Sequence, residues 1–266
     1  MLSESIPFEL DGLGKWQVGD RLLGRALAGE SLDDAAMAEQ TLGFLPPNEL
    51  GFKVLTEVWG TVTAIHATAT TLGVADAARS IEVDTVCDGV RVVGAVPGVR
   101  GDVVAGVSYS SIKAKDRVAN WVRLLALTAT RPEIPWEAIL VGREKRGAGV
   151  VRHRALDSDG RDSVDRADEA NALLTRIVDL RRRGLREPLP LPCATGEAWV
   201  NAARWRRTPE ENAATEWTSG YEFDREDKDA AHVLVHGGVV PFEALLQQSP
   251  AADEQGPGWD LSLIHI

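Results

Sequence analysis

A valine-rich stretch from Ser80 to Tyr109, broken by two short turns, constrains the fold of this chain more than any other feature. Ser80 to Val86 alternates, and a period of two gives a strand one apolar face. Asp88-Gly89 supplies a tight two-residue turn, so Val90 to Val99 returns antiparallel as the second arm of a hairpin. Arg100-Gly101-Asp102 makes the next turn, and Val103 to Val107, running into Ser108-Tyr109-Ser110, reads as a third strand. Such a small sheet is stable only when helices cover its apolar surface.

The flanking sequence supplies those helices. From Ile6 to Leu45 apolar residues such as Leu10, Leu13, Trp16, Leu22 and Leu23 fall near helical spacing, and Ser31-Leu32-Asp33-Asp34 reads as an N-cap and first turn. A second helix begins near Asn48, carries Val54, Leu55, Val58 and Val62, and ends before Gly73. After the strands, Val118, Trp121, Val122, Leu124, Leu125 and Leu127 stripe one face of a helix from Asp116 to Ala129. Trp136 to Val141 and Val150 to Ala155 flank a tip from Gly142 to Gly149, either a second hairpin or a strand and loop. Val164 to Gly184 is helical again, with Gly184 suited to a left-handed cap. Pro188, Pro190 and Pro192 space out an extended connector, followed by a short helix from Gly196 to Arg206 and an apolar stretch from Ala231 to Leu246.

The class this order predicts is α/β (α+β), a mixed sheet in an αβββαβ core with flanking helices. The expected organisation is an N-terminal helical segment over 1–45, a core over 46–185, and a C-terminal connector and partner-facing region over 186–260. The last six residues, Leu261 to Ile266, match the translation of a transposon-end sequencing adapter, so the natural chain is expected to continue past Asp260.

Composition narrows the function classes. The formal net charge of −11 argues against a free-standing nucleic-acid binder but leaves room for a basic groove on an acidic body. No apolar run is long enough to span a bilayer, so no membrane partner is expected. Cys87 and Cys193 are the only cysteines, which fits a reducing cytoplasm and no zinc cluster. No Gly-x-x-x-x-Gly-Lys-Ser/Thr occurs, so ATP binding is not expected.

The strand pair from Val92 to Ser110 resembles that of PD-(D/E)xK nucleases, where Gly-x-Ile-Asp lies on one strand and Asp/Glu-x-Lys on the next. In that family two acids hold a metal and the lysine steadies the attacking hydroxide. The corresponding positions here are Pro97, Ser108 and Ser110, which supply neither carboxylate nor ammonium. The reading is a restriction-endonuclease-like frame without its chemistry. The alternative is an active nuclease with a migrated motif, built from Asp84 and Asp102 with Lys113 or Lys115.

Several segments in order, among them Leu10 to Leu23, Leu45-Pro46-Pro47, Val93 to Val99, Val107 to Ser110, Trp121 to Leu127 and Arg186 to Pro192, are similar to the C-terminal region of the RecC family, the gamma subunit of bacterial exodeoxyribonuclease V. The likeness runs to about Gly237. It implies a non-catalytic domain that handles DNA, duplex and single-stranded, in double-strand break repair, and that works with RecB-like and RecD-like subunits. Magnesium and ATP would act only through those partners. It also implies that most of the protein lies upstream of Met1 and that the C-terminal portion, Gly196 to Leu246, docks a RecD-like chain.

Candidate contacts follow. Arg143, Lys145, Arg146, Arg152 and Arg154 sit on or beside the 142–149 tip, where cations could meet phosphates or simply face solvent. Arg181, Arg182 and Arg183 close a helix whose dipole favours cations there anyway. Trp205, with Arg206 and Arg207, suits a partner interface or base stacking. His232 and His236 are spaced to share a helical face, and Asp224, Glu226, Asp227 and Asp229 form an acid cluster. Neither pattern has the ligand set of a metal site. A purely structural module without DNA contact is the third reading.

Overall fold

A computed structural model describes residues 10–43, 45–145, 147–154, 162–186, 189 and 192–247. The chain divides into two compact units, Met1–Ile112 with Ala119–Thr175, and Lys113–Val118 with Arg176–Ile266. Leu261 to Ile266 and Arg146 lie outside the described residues.

The first unit is built on a five-stranded sheet in the order β1-β2-β3-β4-β5. Strands β1 (Arg79–Cys87), β2 (Val90–Arg100) and β3 (Val103–Val107) form an antiparallel meander. Asp88 and Gly89 both adopt positive φ in the first turn, as a two-residue hairpin requires. Helix α4 (Ala114–Thr130) then crosses to β4 (Glu137–Glu144), which lies parallel to β3, and β5 (Gly147–Arg154) returns antiparallel as the far edge. With α3 (Glu49–Thr71) ahead of β1, the order is αβββαβ with one added strand, a mixed α/β fold with a restriction-endonuclease-like core. The segment after Val141 that was open between two readings is the second arm of a hairpin.

Side chains alternate between two apolar layers. On one face Ala105, Ile139 and Val141 pack with Tyr109 against α1 (Gly12–Leu27), α2 (Leu32–Thr41) and α3. On the other, Ile81, Val83, Val96, Val99, Val104 and Ala138 pack against Leu124 and Leu127 of α4 and the buried Trp136. Interior strand β4 is buried from Ala138 through Gly142, the pattern of a strand covered on both sides. Each buried leucine or valine contributes about 1.5–3 kcal/mol relative to exposure. Ser31 caps α2 by accepting from the Asp34 amide, and Arg21 of α1 grips the fully buried Glu39 of α2 through Nε and Nη2. No described helix is long and apolar enough to cross a membrane.

In the second unit α6 (Cys193–Val200), α7 (Pro209–Trp217), α8 (Ala230–His236) and α9 (Phe242–Leu246) surround a small core of Ala213, Trp217, Phe242 and Leu245. Thr208 and Glu211 form a reciprocal capping box at the start of α7.

Candidate functional site

Pro97 and Gly98 form an irregularity in β2. The β1 ladder pairs Ile81 with Val96 but Arg79 with Val99, so β2 carries one residue more than its partner at this point. Gly98 takes a φ of +80°, and a Cβ there would stand 2.5 Å from the Ala105 carbonyl oxygen on β3. The chain can bend here because Pro97 needs no ladder donor and Gly98 has no side chain. Pro97 itself is exposed.

On the neighbouring strand, Ser108 and Ser110 extend the pairing of β3 with β4. The Ser108 amide donates to the Val141 carbonyl, and the Arg143 amide donates to the Ser110 carbonyl. The Ser108 hydroxyl oxygen accepts from the Ser110 amide at 3.1 Å, and the Ser110 hydroxyl accepts from the indole Nε1 of Trp16 on α1 at 2.9 Å. Between the two serines, Tyr109 is buried with its ring against Gly19 of α1, where an added Cβ would come within 2.3 Å of it. The Arg143 guanidinium lies 5.5 Å from the centroid of the same ring. Ser110 thus helps fasten α1 to the end of the sheet, while the Ser108 hydroxyl bonds within its own segment.

The migrated-motif residues are not brought together. Asp84 pairs with Arg91 across the β1–β2 hairpin at 2.6 Å, and the hydrogen bond from that guanidinium holds its carboxyl below the usual range. Asp102 occupies the β2–β3 turn, next to the Gly101 carbonyl that Arg79 reaches, and Arg79 is separated from Asp84 by roughly 17 Å of strand. Lys113 follows the opposite end of β3, with Lys115 beyond it in α4. Among the described residues no three His, Cys, Asp or Glu side chains are grouped to hold a metal ion. The sequence placed these residues together only because it cannot show which end of a strand each one occupies.

The β4–β5 hairpin divides the proposed DNA-contacting cations. Arg143 and Lys145 are exposed at the tip. Arg152 lies roughly 13 Å along β5 from Ala148, the residue opposite Arg143, and Arg154 lies further still. Glu137 of β4 takes both of the latter, at 3.3 Å from Arg152 and 3.7 Å from Arg154.

In the second unit Trp205, 69% exposed, and Arg207 line an open cleft of about 1110 Å³, whereas Arg206 is exposed in a left-handed turn. The acid cluster from Asp224 to Asp229 is tied into the fold by its own hydrogen bonds. Glu226 accepts from the Ala194 and Thr195 amides and the Thr195 hydroxyl, filling the N-terminus of α6. Asp227 accepts from the Ser219 amide and hydroxyl, Asp229 caps α8, and Asp224 pairs with Lys228. His232 and His236 do share a face, but they stack against each other and meet the buried Trp217 edge-on. Burial, with Glu226 nearby, pushes the Cys193 thiol up, so it is no ready nucleophile. The cleft and the Trp16–Ser110 link were missed in the sequence because their parts are far apart in the chain. Arg204-Trp205-Arg206-Arg207 was the one local signal of the cleft.

The chain is similar in sequence to known proteins. Residues 1–204 match the family model for the RecC C-terminal domain. The chain is 34% identical over 256 residues to the RecBCD enzyme subunit RecC of two Mycobacterium tuberculosis strains, CDC 1551 / Oshkosh and ATCC 25618 / H37Rv. It is 32% identical over the same length to the RecBCD enzyme subunit RecC of Mycolicibacterium smegmatis. Each alignment covers 95% of this chain and 22% of the relative.

Proposed function

The chain belongs to the RecC C-terminal domain family, and from that premise we propose that it is a non-catalytic DNA-handling and scaffolding domain of a RecBCD-type helicase-nuclease. The chain spans 22% of the length of its curated relatives. The observation that carries it is the fate of the nuclease positions. Pro97 sits in a bulge, Ser108 bonds its own strand, and Ser110 holds Trp16. A site so occupied keeps the rigid sheet and offers no ligands for a hydrolytic metal.

In this role the sheet presents the β4–β5 tip to DNA. Arg143 and Lys145 are its primary phosphate contacts, because Arg152 and Arg154 already share Glu137. RecB-like and RecD-like subunits supply ATP and magnesium chemistry, and the segment from Gly196 to Leu246 meets the RecD-like partner. Exposed Phe223, Leu234 and Val235 favour such a contact. The workplace of this assembly is the cytoplasm.

The test is binding of the chain to a labelled forked duplex. R143A/K145A should weaken it several-fold and reduce the salt dependence by roughly 1.8, at about 0.9 per duplex phosphate contact. Unchanged affinity and slope would leave a structural module. Normal assembly with RecB-like and RecD-like subunits after removal of 196–246 would remove the docking proposal.

A further inference from the structure

We infer that the cleft of the second unit is a binding site for single-stranded nucleic acid, in which Trp205 stacks on a base and Lys113, Lys115, Arg204 and Arg207 take the phosphates. This rests on the DNA-handling reading for its choice of ligand, but its observations lie in the other unit and are independent of the β4–β5 tip.

The first observation is how charge is spent along the cleft wall. All five acids there have internal partners. Glu226 fills the α6 N-terminus, Glu197 pairs with Arg117, Glu216 with Arg225, Asp224 with Lys228, and Asp229 caps α8. Among the described residues, Lys113, Lys115, Arg204 and Arg207 make no ion pair although they line the same cleft. The charge left for a ligand is therefore positive, on a chain whose formal net charge is −11. An anion is drawn to this place against the field of the rest of the surface.

The second observation is Trp205. It ends a short 3₁₀ helix, and Arg206 in left-handed conformation turns the chain directly after it. Its indole stays 69% exposed, whereas Trp217 in the same unit is fully buried. A large exposed aromatic ring beside unpaired guanidinium groups matches a ligand that alternates flat bases with phosphates. A duplex hides its base faces in the stack, so the unpaired strand is the form that fits.

An open cleft of about 1110 Å³ has room for a short stretch of such a chain. Asn212 is buried and donates through its side-chain amide to the Ala198 carbonyl, tying α7 to α6 beneath the cleft.

The test uses the 266-residue chain and a fluorescein-labelled oligo-dT of about 15 nucleotides, near the upper end of the site sizes of single-strand-binding domains. Binding should quench tryptophan emission, and W205A should weaken affinity about tenfold or more while leaving the thermal melt in place. R204A/R207A should lower the salt slope by about 1.4, at roughly 0.7 per single-strand phosphate contact. R143A/K145A should leave oligo-dT binding unchanged, and W205A should leave unchanged the binding of a blunt duplex, which offers no unpaired strand to the cleft. Failure of one site is thereby separated from failure of the other. No binding of oligo-dT, or equal binding by the parent chain, W205A and R204A/R207A, would overturn the inference. So would loss of a protein partner, with oligo-dT binding intact, in the W205A variant.

Discussion

Gly19 and Tyr109 fit each other at van der Waals limits, and that contact, with the bond from Trp16 to Ser110, helps set how α1 meets the sheet. A Cβ on residue 19 would lie 2.3–2.7 Å from three atoms of the Tyr109 ring, which is itself buried and has no free direction to retreat. Gly19→Ala should destabilise the chain by roughly 2 kcal/mol, more than the modest gain an alanine normally brings to a helix interior. Chemical denaturation checks this, and the G19A/Y109A pair should lose less than the sum of its single changes, since the smaller side chain removes the clash. The local caps were legible in sequence, as Ser31 ahead of Asp34 illustrates. The bond from Trp16 to Ser110 was not, because 94 positions separate the two and neither residue type announces the other.

Among the elements, the strands were the most readable. Alternation, the Asp88-Gly89 turn and the valine content located β1, β2 and β3, while β5 was ambiguous because its edge position leaves alternate residues exposed and its apolar signal weak. Helix α8 carries a pH response that its sequence only hinted at. Burial, with the neighbouring His232, holds the His236 imidazole below its usual 6.5. The unfolded chain then takes up a proton before the folded one does, so the contribution is complete above the unfolded value and declines as pH falls through it towards the folded value. The melting temperature should drop as pH falls below the usual imidazole value of 6.5, and His236→Asn should flatten that limb of the profile. A profile identical in parent and variant would mean that burial beside His232 does not distinguish the two charge states.

At the scale of the molecule, the succession of helix, three strands, helix and strand was enough to reach the mixed α/β core, because few topologies satisfy short connections and a buried sheet. The division into units was less accessible. The opening turn of α4 groups with residues beyond 175, and no composition shift marks that association. At Pro97, Ser108 and Ser110 the sequence showed which residue types are present but not the contacts they make, such as the bond from Trp16 to Ser110. The central claim is that a nuclease frame holds DNA without cutting it. A labelled forked duplex incubated with the 266-residue chain and magnesium, then resolved under native and denaturing conditions, measures both halves at once. The account predicts a shifted complex whose strands remain full length. Magnesium-dependent fragments that vanish in D84N, D102N or K113A variants would contradict it.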